Sequence, residues 1–330
     1  MNIYSLYIST FVTRKIRNMK KIFIIILFTT FYSINSLAQR NPQKNITITY
    51  DSLTNFLGKN ALGYTGQELY LKGLDKKSRT YGYNGFILDY KKDDDILNDE
   101  KNIYKPNENY NSRYEDLAGR YFNVLEAIRH PKASSTTSEY GDIFYLKLQE
   151  LSKGDILYYK YNVGSEFTFP FIVRGFLEKQ KELLTGKEFV VTDNVLKMSR
   201  NIVSGSILSF TTGESWECID VTMDNNTNEL SLLLQNTRGI KTTIPYSEFK
   251  TTDGTKKVYT ASEATELIKK YNPNNFRRIL QNKIREGMTK EMTLLAWGEP
   301  IEIKKDGKNE QWIYPAGNLT FSEDKIINSR

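Results

Sequence analysis

Between residues 188 and 244 the apolar residues fall into short runs, 188–195, 206–212, 215–223, 229–235 and 240–244, separated by turn residues such as Asp224-Asn225-Asn226 and Thr237-Arg238-Gly239. Short runs broken by turns at this spacing predict a small antiparallel barrel or sandwich. The aromatic content points the same way: 22 Tyr and 17 Phe against 8 Pro favour strands over disorder.

The segment Pro245-Tyr246-Ser247-Glu248-Phe249 resembles the short helical turn before the last strand of SH3-like barrels, so residues 186–250 are read as an SH3-like β module. Upstream, strands are expected over 120–128, 142–150, 156–161 and 167–176, with Pro170 placing the last at a sheet edge. A helix is expected over 177–185, with Gly186 at its C-terminal cap. These elements make residues 114–185 a second β module, and residues 39–113 a first one that ends in the polar run 91–113. The acids of that run, among them Asp93, Asp94, Asp95, Asp99 and Glu100, lack the spacing and central Gly of a calcium loop, so a solvated linker is expected. Leu57-Gly58-Lys59, Leu117-Ala118-Gly119-Arg120 and Leu184-Thr185-Gly186-Lys187 form a weak repeat whose glycines lie 61 and 67 residues apart.

The N-terminal region is set apart by its own pattern. Met19-Lys20-Lys21 precedes the apolar run 22–28, and Ser36-Leu37-Ala38 supplies the small residues that a signal peptidase reads. A transmembrane anchor would need about 20 mostly apolar residues, more than this run offers. Residues 19–38 are therefore expected to be a signal peptide and 1–18 a non-native upstream extension, with export to the periplasm, the outer membrane or beyond. Gln39 stands where a lipid-bearing Cys would, so no stable membrane anchor is predicted.

Processing also changes the charge argument. The formal net charge is +7, but residues 1–38 hold five basic residues and no acid, which leaves the processed chain at +2. Nucleic acid is not an expected partner. Cys218 is the only cysteine, so an intrachain disulfide is excluded, and with His130 as the only histidine a four-ligand structural zinc site of Cys and His is excluded too. No cofactor or metal is expected, and stability must come from packed cores.

The C-terminal region carries the strongest pattern. Residues 261–271 read as a helix broken at Asn272-Pro273-Asn274; Gly287-Met288-Thr289 enters a second helix that leaves through Trp297-Gly298-Glu299-Pro300. The Thr289 hydroxyl is placed to cap that helix and Glu291 to meet its positive end. Strand 301–305, the Asp306-Gly307 turn and strand 310–314 form a hairpin, followed by strand material at 319–321 and 325–328. The Gly-Met-Thr entry, the Gly-x-Pro exit and Gln311-Trp312-Ile313-Tyr314 together resemble the small BamE/OmlA-type domain of bacterial envelope lipoproteins over about residues 260–330. That resemblance implies a two-helix, three-strand module that binds protein partners at the outer membrane and catalyses nothing.

Catalytic constellations are thin. A Cys218–His130 pair would need an activated, exposed thiolate, whereas Cys218 sits in the strand-like alternation Trp216-Glu217-Cys218-Ile219 and reads as a buried thiol. Gly213-Glu214-Ser215-Trp216-Glu217 lacks the closing Gly of a nucleophile elbow. Tyr158, Tyr159, Tyr161 and Trp216 are candidates for an aromatic groove, with core packing as the competing reading; Trp297 and Trp312 are the corresponding binding candidates at the C-terminus.

The expectation is thus a mainly β chain of small SH3-like barrel or sandwich modules followed by a two-helix, three-strand α+β domain. Its expected role is that of an exported, non-enzymatic envelope protein that binds other envelope proteins. The alternatives are binding of a cell-wall or surface polysaccharide and, below that, a carboxylate-based envelope hydrolase.

Overall fold

The computed structural model describes residues 50–93, 100–133, 140–224, 226–249 and 255–329. The expected leader, the upstream extension and Asp94, Asp95 and Asp99 lie outside the described residues. The fold is mixed α/β, built on three mostly antiparallel sheets with five helices, and the described residues contain no closed barrel. The chain from Thr49 to Arg330 groups as one compact unit.

The first sheet takes its strands from both of the regions read as separate modules. Strands β1 (Glu68–Leu71), β2 (Phe86–Ile87), β3 (Tyr121–Arg129), β4 (Ile143–Glu150), β5 (Ile156–Asn162) and β6 (Phe171–Val173) lie in the order β2-β5-β4-β3-β1-β6. Residues 39–113 therefore do not build a sheet of their own: β1 is sandwiched between β3 and β6, and β2 closes the far edge against β5. The one-turn helix α1 (Tyr114–Leu117) leads into β3. Pro170 precedes β6 at the sheet edge, where its missing N–H breaks no ladder.

Helix α2 (Arg174–Leu184) follows β6 directly, and Gly186, in the left-handed region at φ 78°, turns the chain into β7 (Glu188–Val191). With β8 (Ser215–Met223), β9 (Leu230–Asn236), β10 (Lys241–Pro245) and β11 (Val258–Thr260) it forms a five-stranded sheet ordered β10-β9-β8-β7-β11. One expected strand is shortened and another absent: the run 188–195 leaves the sheet after Val191, residues 193–198 forming the short helix α3 (Asp193–Met198), and 206–212 contributes only the single bridge between Ile207 and Arg200. The expected module 186–250 stops short of its last strand, because β11 follows the 3-10 turn Tyr246–Phe249 and pairs with β7.

The glycine repeat marks a local turn rather than a module. Gly119 and Gly186 have positive φ just before β3 and β7, but Gly58 precedes a 3-10 turn, and the two sheets differ in strand order. Nor is the polar run simply a solvated linker. The Asp93 side chain is only 6 % exposed, with a carboxylate oxygen 2.8 Å from Lys160 Nζ and accepting from the Tyr145 hydroxyl.

At the C-terminus, α4 (Ala261–Leu280) opens with a capping box in which the Thr260 side chain accepts from the Glu263 N–H and Glu263 accepts from the Thr260 N–H. The break expected at Asn272 is a kink: its φ of 67° and the following Pro273 redirect the helix, which continues to Leu280. Helix α5 (Lys290–Trp297) is capped by the Thr289 hydroxyl, 3.2 Å from the Met292 N–H. The sheet beyond has four strands in sequential order, β12 (Glu302–Asp306), β13 (Asn309–Tyr314), β14 (Gly317–Ser322) and β15 (Lys325–Ser329), matching the four strand segments read from the sequence and not the three that the resemblance implies. The fourth arises because Glu323-Asp324 makes a two-residue turn, with Glu323 at positive φ, that folds the chain tail back onto β14.

Candidate functional site

An open cleft of about 850 Å³ lies where the five-stranded sheet meets the C-terminal module. Helix α3 contributes Asn194, Val195 and Met198, and the strands contribute Ser231, Thr243 and Pro245. The C-terminal module supplies Asn282, Leu295, Trp297, Tyr314 and the Pro315-Ala316 turn. That volume lies within the range of small-ligand and peptide pockets.

The polar groups of the cleft are held in place by the protein itself. Asp224 Oδ1 accepts the N–H groups of Asn226 (2.9 Å) and Thr227 (3.0 Å), and its Oδ2 accepts from the Thr243 hydroxyl at 3.0 Å. Burial pushes this carboxyl up, but those N–H groups and hydroxyls outweigh it and hold the Asp224 pKa below its ordinary value. Glu248 lies 3.1 Å from Lys257 Nζ, and Lys256 reaches the Glu263 carboxylate. Trp297 donates its indole N–H to the Asn282 carbonyl at 2.9 Å and meets Tyr314 edge-on, ring centroids 5.2 Å apart. Tyr314 donates to the Gly298 carbonyl at 3.0 Å. The polar tips are thereby satisfied internally, and the half-buried Trp297 ring remains as contact surface.

Such a lining suits binding. Among the described residues, no three His, Cys, Asp or Glu converge as metal ligands would. Cys218 is fully buried on β8, its thiol donating to the Asp220 carbonyl at 3.3 Å, and burial pushes it up to about 11, the opposite of an activated thiolate. His130 lies in the loop just after β3, where it is buried and stacked on Tyr140 with ring centroids 4.4 Å apart. Ser215 donates to Glu188 at 2.9 Å and has no histidine beside it.

The six aromatic candidates are scattered; Tyr161, like Tyr159, is buried on β5, and donates to the Gly58 carbonyl at 2.9 Å. Trp216 and Trp312 are buried in different cores, Trp216 beneath the five-stranded sheet and Trp312 against Phe321 with centroids 4.6 Å apart. Tyr159 is buried on the core face of β5, donating to the Thr168 carbonyl. Tyr158 points to the other face, half-buried against Tyr90 at 5.1 Å. The expected groove of Tyr158, Tyr159, Tyr161 and Trp216 is therefore not formed: neighbours on a strand face opposite ways, Tyr159 and Tyr161 are buried, and Trp216 belongs to another sheet. Only Trp297 reaches the cleft. Sequence reasoning missed the rest because α3 reads as strand and the Pro315-Ala316 turn carries no distinctive side chain.

Comparison with family models, curated proteins and solved structures finds no match. No helix among the described residues is long and apolar enough to cross a membrane.

Proposed function

We propose that the protein is an exported, non-enzymatic envelope protein and that the cleft receives an extended segment of an envelope-protein partner. The observation carrying this reading is the cleft itself. It joins the half-buried Trp297 ring to Leu295, Val195 and two prolines, while its carboxylates are already engaged by neighbouring side chains and backbone N–H groups. Aromatic and apolar contacts with satisfied polar groups are typical of a protein-recognition surface.

The finer family readings belong to the same proposal. An SH3-like middle module is supported by four strands in sequential order, a 3-10 turn, and a last strand returning beside the first. A BamE/OmlA-like C-terminal module is supported by the Thr289-capped helix, its Gly298 exit and the following hairpin; the fourth strand departs from that pattern.

A photoreactive residue in place of Leu295 is expected to form an adduct with one envelope protein. The same probe at Leu88, an exposed position beside β2, should not, and Ala316→Trp should abolish the Leu295 adduct by filling the cleft. Equal labelling from both positions would refute the cleft as the docking site. The edge-on Trp297–Tyr314 pair also favours a second reading, stacking of a wall or surface sugar. Trp297-dependent retention on isolated wall polysaccharide, without a protein adduct, would replace the first reading with it.

A further inference from the structure

Between Asp193 and Glu214 the chain has no acidic residue, yet the stretch contains Lys197 and Arg200 and, interleaved with them, Met198, Ile202, Val203 and Ile207. In a globular protein such apolar side chains normally turn inward. Here they do not: Met198 is 87 % exposed, Val203 79 %, Ile207 76 % and Ile202 48 %. An isolated exposed apolar residue needs no explanation, but four within ten residues make a patch.

The patch is held outward by a well-ordered loop. Asn201 anchors it, its side-chain oxygen accepting the N–H groups of Val203 (2.9 Å) and Ser204 (3.3 Å) and its carbonyl accepting from Gly205 at 2.8 Å. The Asn201 N–H donates back to the Ser206 carbonyl at 3.0 Å, and Gly205 takes the positive φ of 70° that the turn requires. Below the turn, Arg200 lies opposite Ile207, and the Thr242 hydroxyl donates to the Arg200 carbonyl at 2.9 Å. The Ile202 N–H donates to the Lys241 carbonyl at 3.0 Å, which brings Lys241 beside the apolar tip. Buried Leu208 pins the returning arm.

Among the described residues, Lys197, Arg200 and Lys241 form no ion pair. The nearest paired cation on this side, Arg238, is neutralised by Glu214 at 3.2 Å and also donates to the Ser209 carbonyl. The surface is a hydrogen-bonded turn with exposed apolar tips and three cations that form no ion pair among the described residues.

We propose that this loop seats the protein on an anionic phospholipid surface, with Ile202 and Val203 entering the headgroup boundary and Lys197, Arg200 and Lys241 facing the phosphates. Charge complementarity selects the occupant: the chain between Asp193 and Glu214 holds no acid, and a bilayer surface rich in anionic lipid attracts such clusters. Shape selects it over a peptide, because the apolar residues lie on a protruding turn and not in a groove, and a headgroup boundary accepts such tips without a preformed cavity. The inference shares Met198 and Arg200 with the cleft lining but rests on the loop tip, Ile202, Val203 and Ile207, which the docking reading does not use.

The test is co-sedimentation of the chain from Gln39 with vesicles of phosphatidylcholine containing phosphatidylglycerol, beside vesicles of phosphatidylcholine alone. Sedimentation is expected with the anionic vesicles and not the neutral ones, falling as salt is raised. The double variant Val203→Asp/Ile207→Asp should lose about tenfold or more of the binding, because it places charge where apolar side chains enter the interface. Arg200→Gln should lose roughly fivefold, corresponding to about one cation at the membrane surface, and Val203→Trp should strengthen binding. These side chains are exposed, so an unchanged thermal melt separates lost binding from lost folding. Equal sedimentation with both vesicle types, binding unaffected by Val203→Asp/Ile207→Asp, or complete competition by soluble polyglutamate would each overturn the proposal.

Discussion

The two large sheets and the C-terminal module are similarly rich in short strands, yet they solve the burial problem differently. The six-stranded and five-stranded sheets share one continuous core, running from Tyr64, Phe122 and Phe171 through Phe189, Trp216 and Leu234. The C-terminal module has a core of its own, built from Tyr271, Met288, Met292, Trp312, Leu319 and Phe321. A smaller cluster of Tyr259, Ala264, Phe276 and Leu280, with Val190, links α4 to strands β7 and β11. Regions that share a core should unfold together, whereas one with a separate core can open or shift at its seam. The 850 Å³ cleft lies at that seam, where C-terminal residues face the five-stranded sheet.

The strongest way to break this comparison is to remove one large side chain from each core. Trp216→Ala and Trp312→Ala should each cost about 3–5 kcal/mol, as deletion of a buried aromatic ring does. Their reach should differ. Trp216→Ala is expected to lower hydrogen-exchange protection across both large sheets, and Trp312→Ala to weaken β12–β15 first while β8 and β9 stay protected. Uniform loss in both variants would show that the cores are one cooperative unit.

A smaller effect is expected where the two large sheets meet. Gly73 donates its N–H to the Asn228 carbonyl at 3.2 Å, and a Cβ there would come within 2.4 Å of the Thr227 carbonyl oxygen. Nearby, Tyr70 donates its hydroxyl to the Asn228 side chain at 3.2 Å. Gly73→Ala should therefore cost about 1–3 kcal/mol through overpacking against backbone, read as a lower denaturant midpoint with unchanged slope. An unchanged midpoint would mean that the join between the sheets yields easily and contributes little.

The smallest effect is pH-dependent. Because the Asp224 carboxyl is held below its ordinary value, its ionised form is favoured by folding, so its stabilisation is present at neutral pH and fades as the pH falls through that lowered value. Melting temperatures followed from neutral into acid solution should drop less steeply for Asp224→Asn than for the parent chain. Parallel curves would show that the turn at Asp224 does not stabilise the cleft through its charge.

Much of the strand structure was legible because local rules dominate it. Strand β8 lies at the predicted 215–223, and Thr289 caps its helix as expected. Legibility failed where two periods fit the same short run. Glu188 to Val195 reads as one strand, yet at Thr192 the chain leaves the sheet and α3 begins at Asp193. It failed again for binding aromatics, since alternation along a strand tells which residues share a face but not which face is covered. Tyr158 and Tyr159 therefore could not be assigned, and Trp216 and Trp312 proved to be buried in cores.

By itself the sequence determined the absence of an intrachain disulfide, the near-neutral charge left once residues 1–38 are set aside, most strands and turns, and the caps of α5. Those properties depend on residue identity or on neighbours a few positions apart. Only the tertiary structure decided that residues 39–113 and 114–185 share one sheet and that Trp297 lines a cleft with α3. It also decided that the apolar residues of 198–207 remain exposed. These outcomes depend on contacts between residues distant in sequence, where burial and strand pairing select among arrangements that local pattern leaves nearly equal.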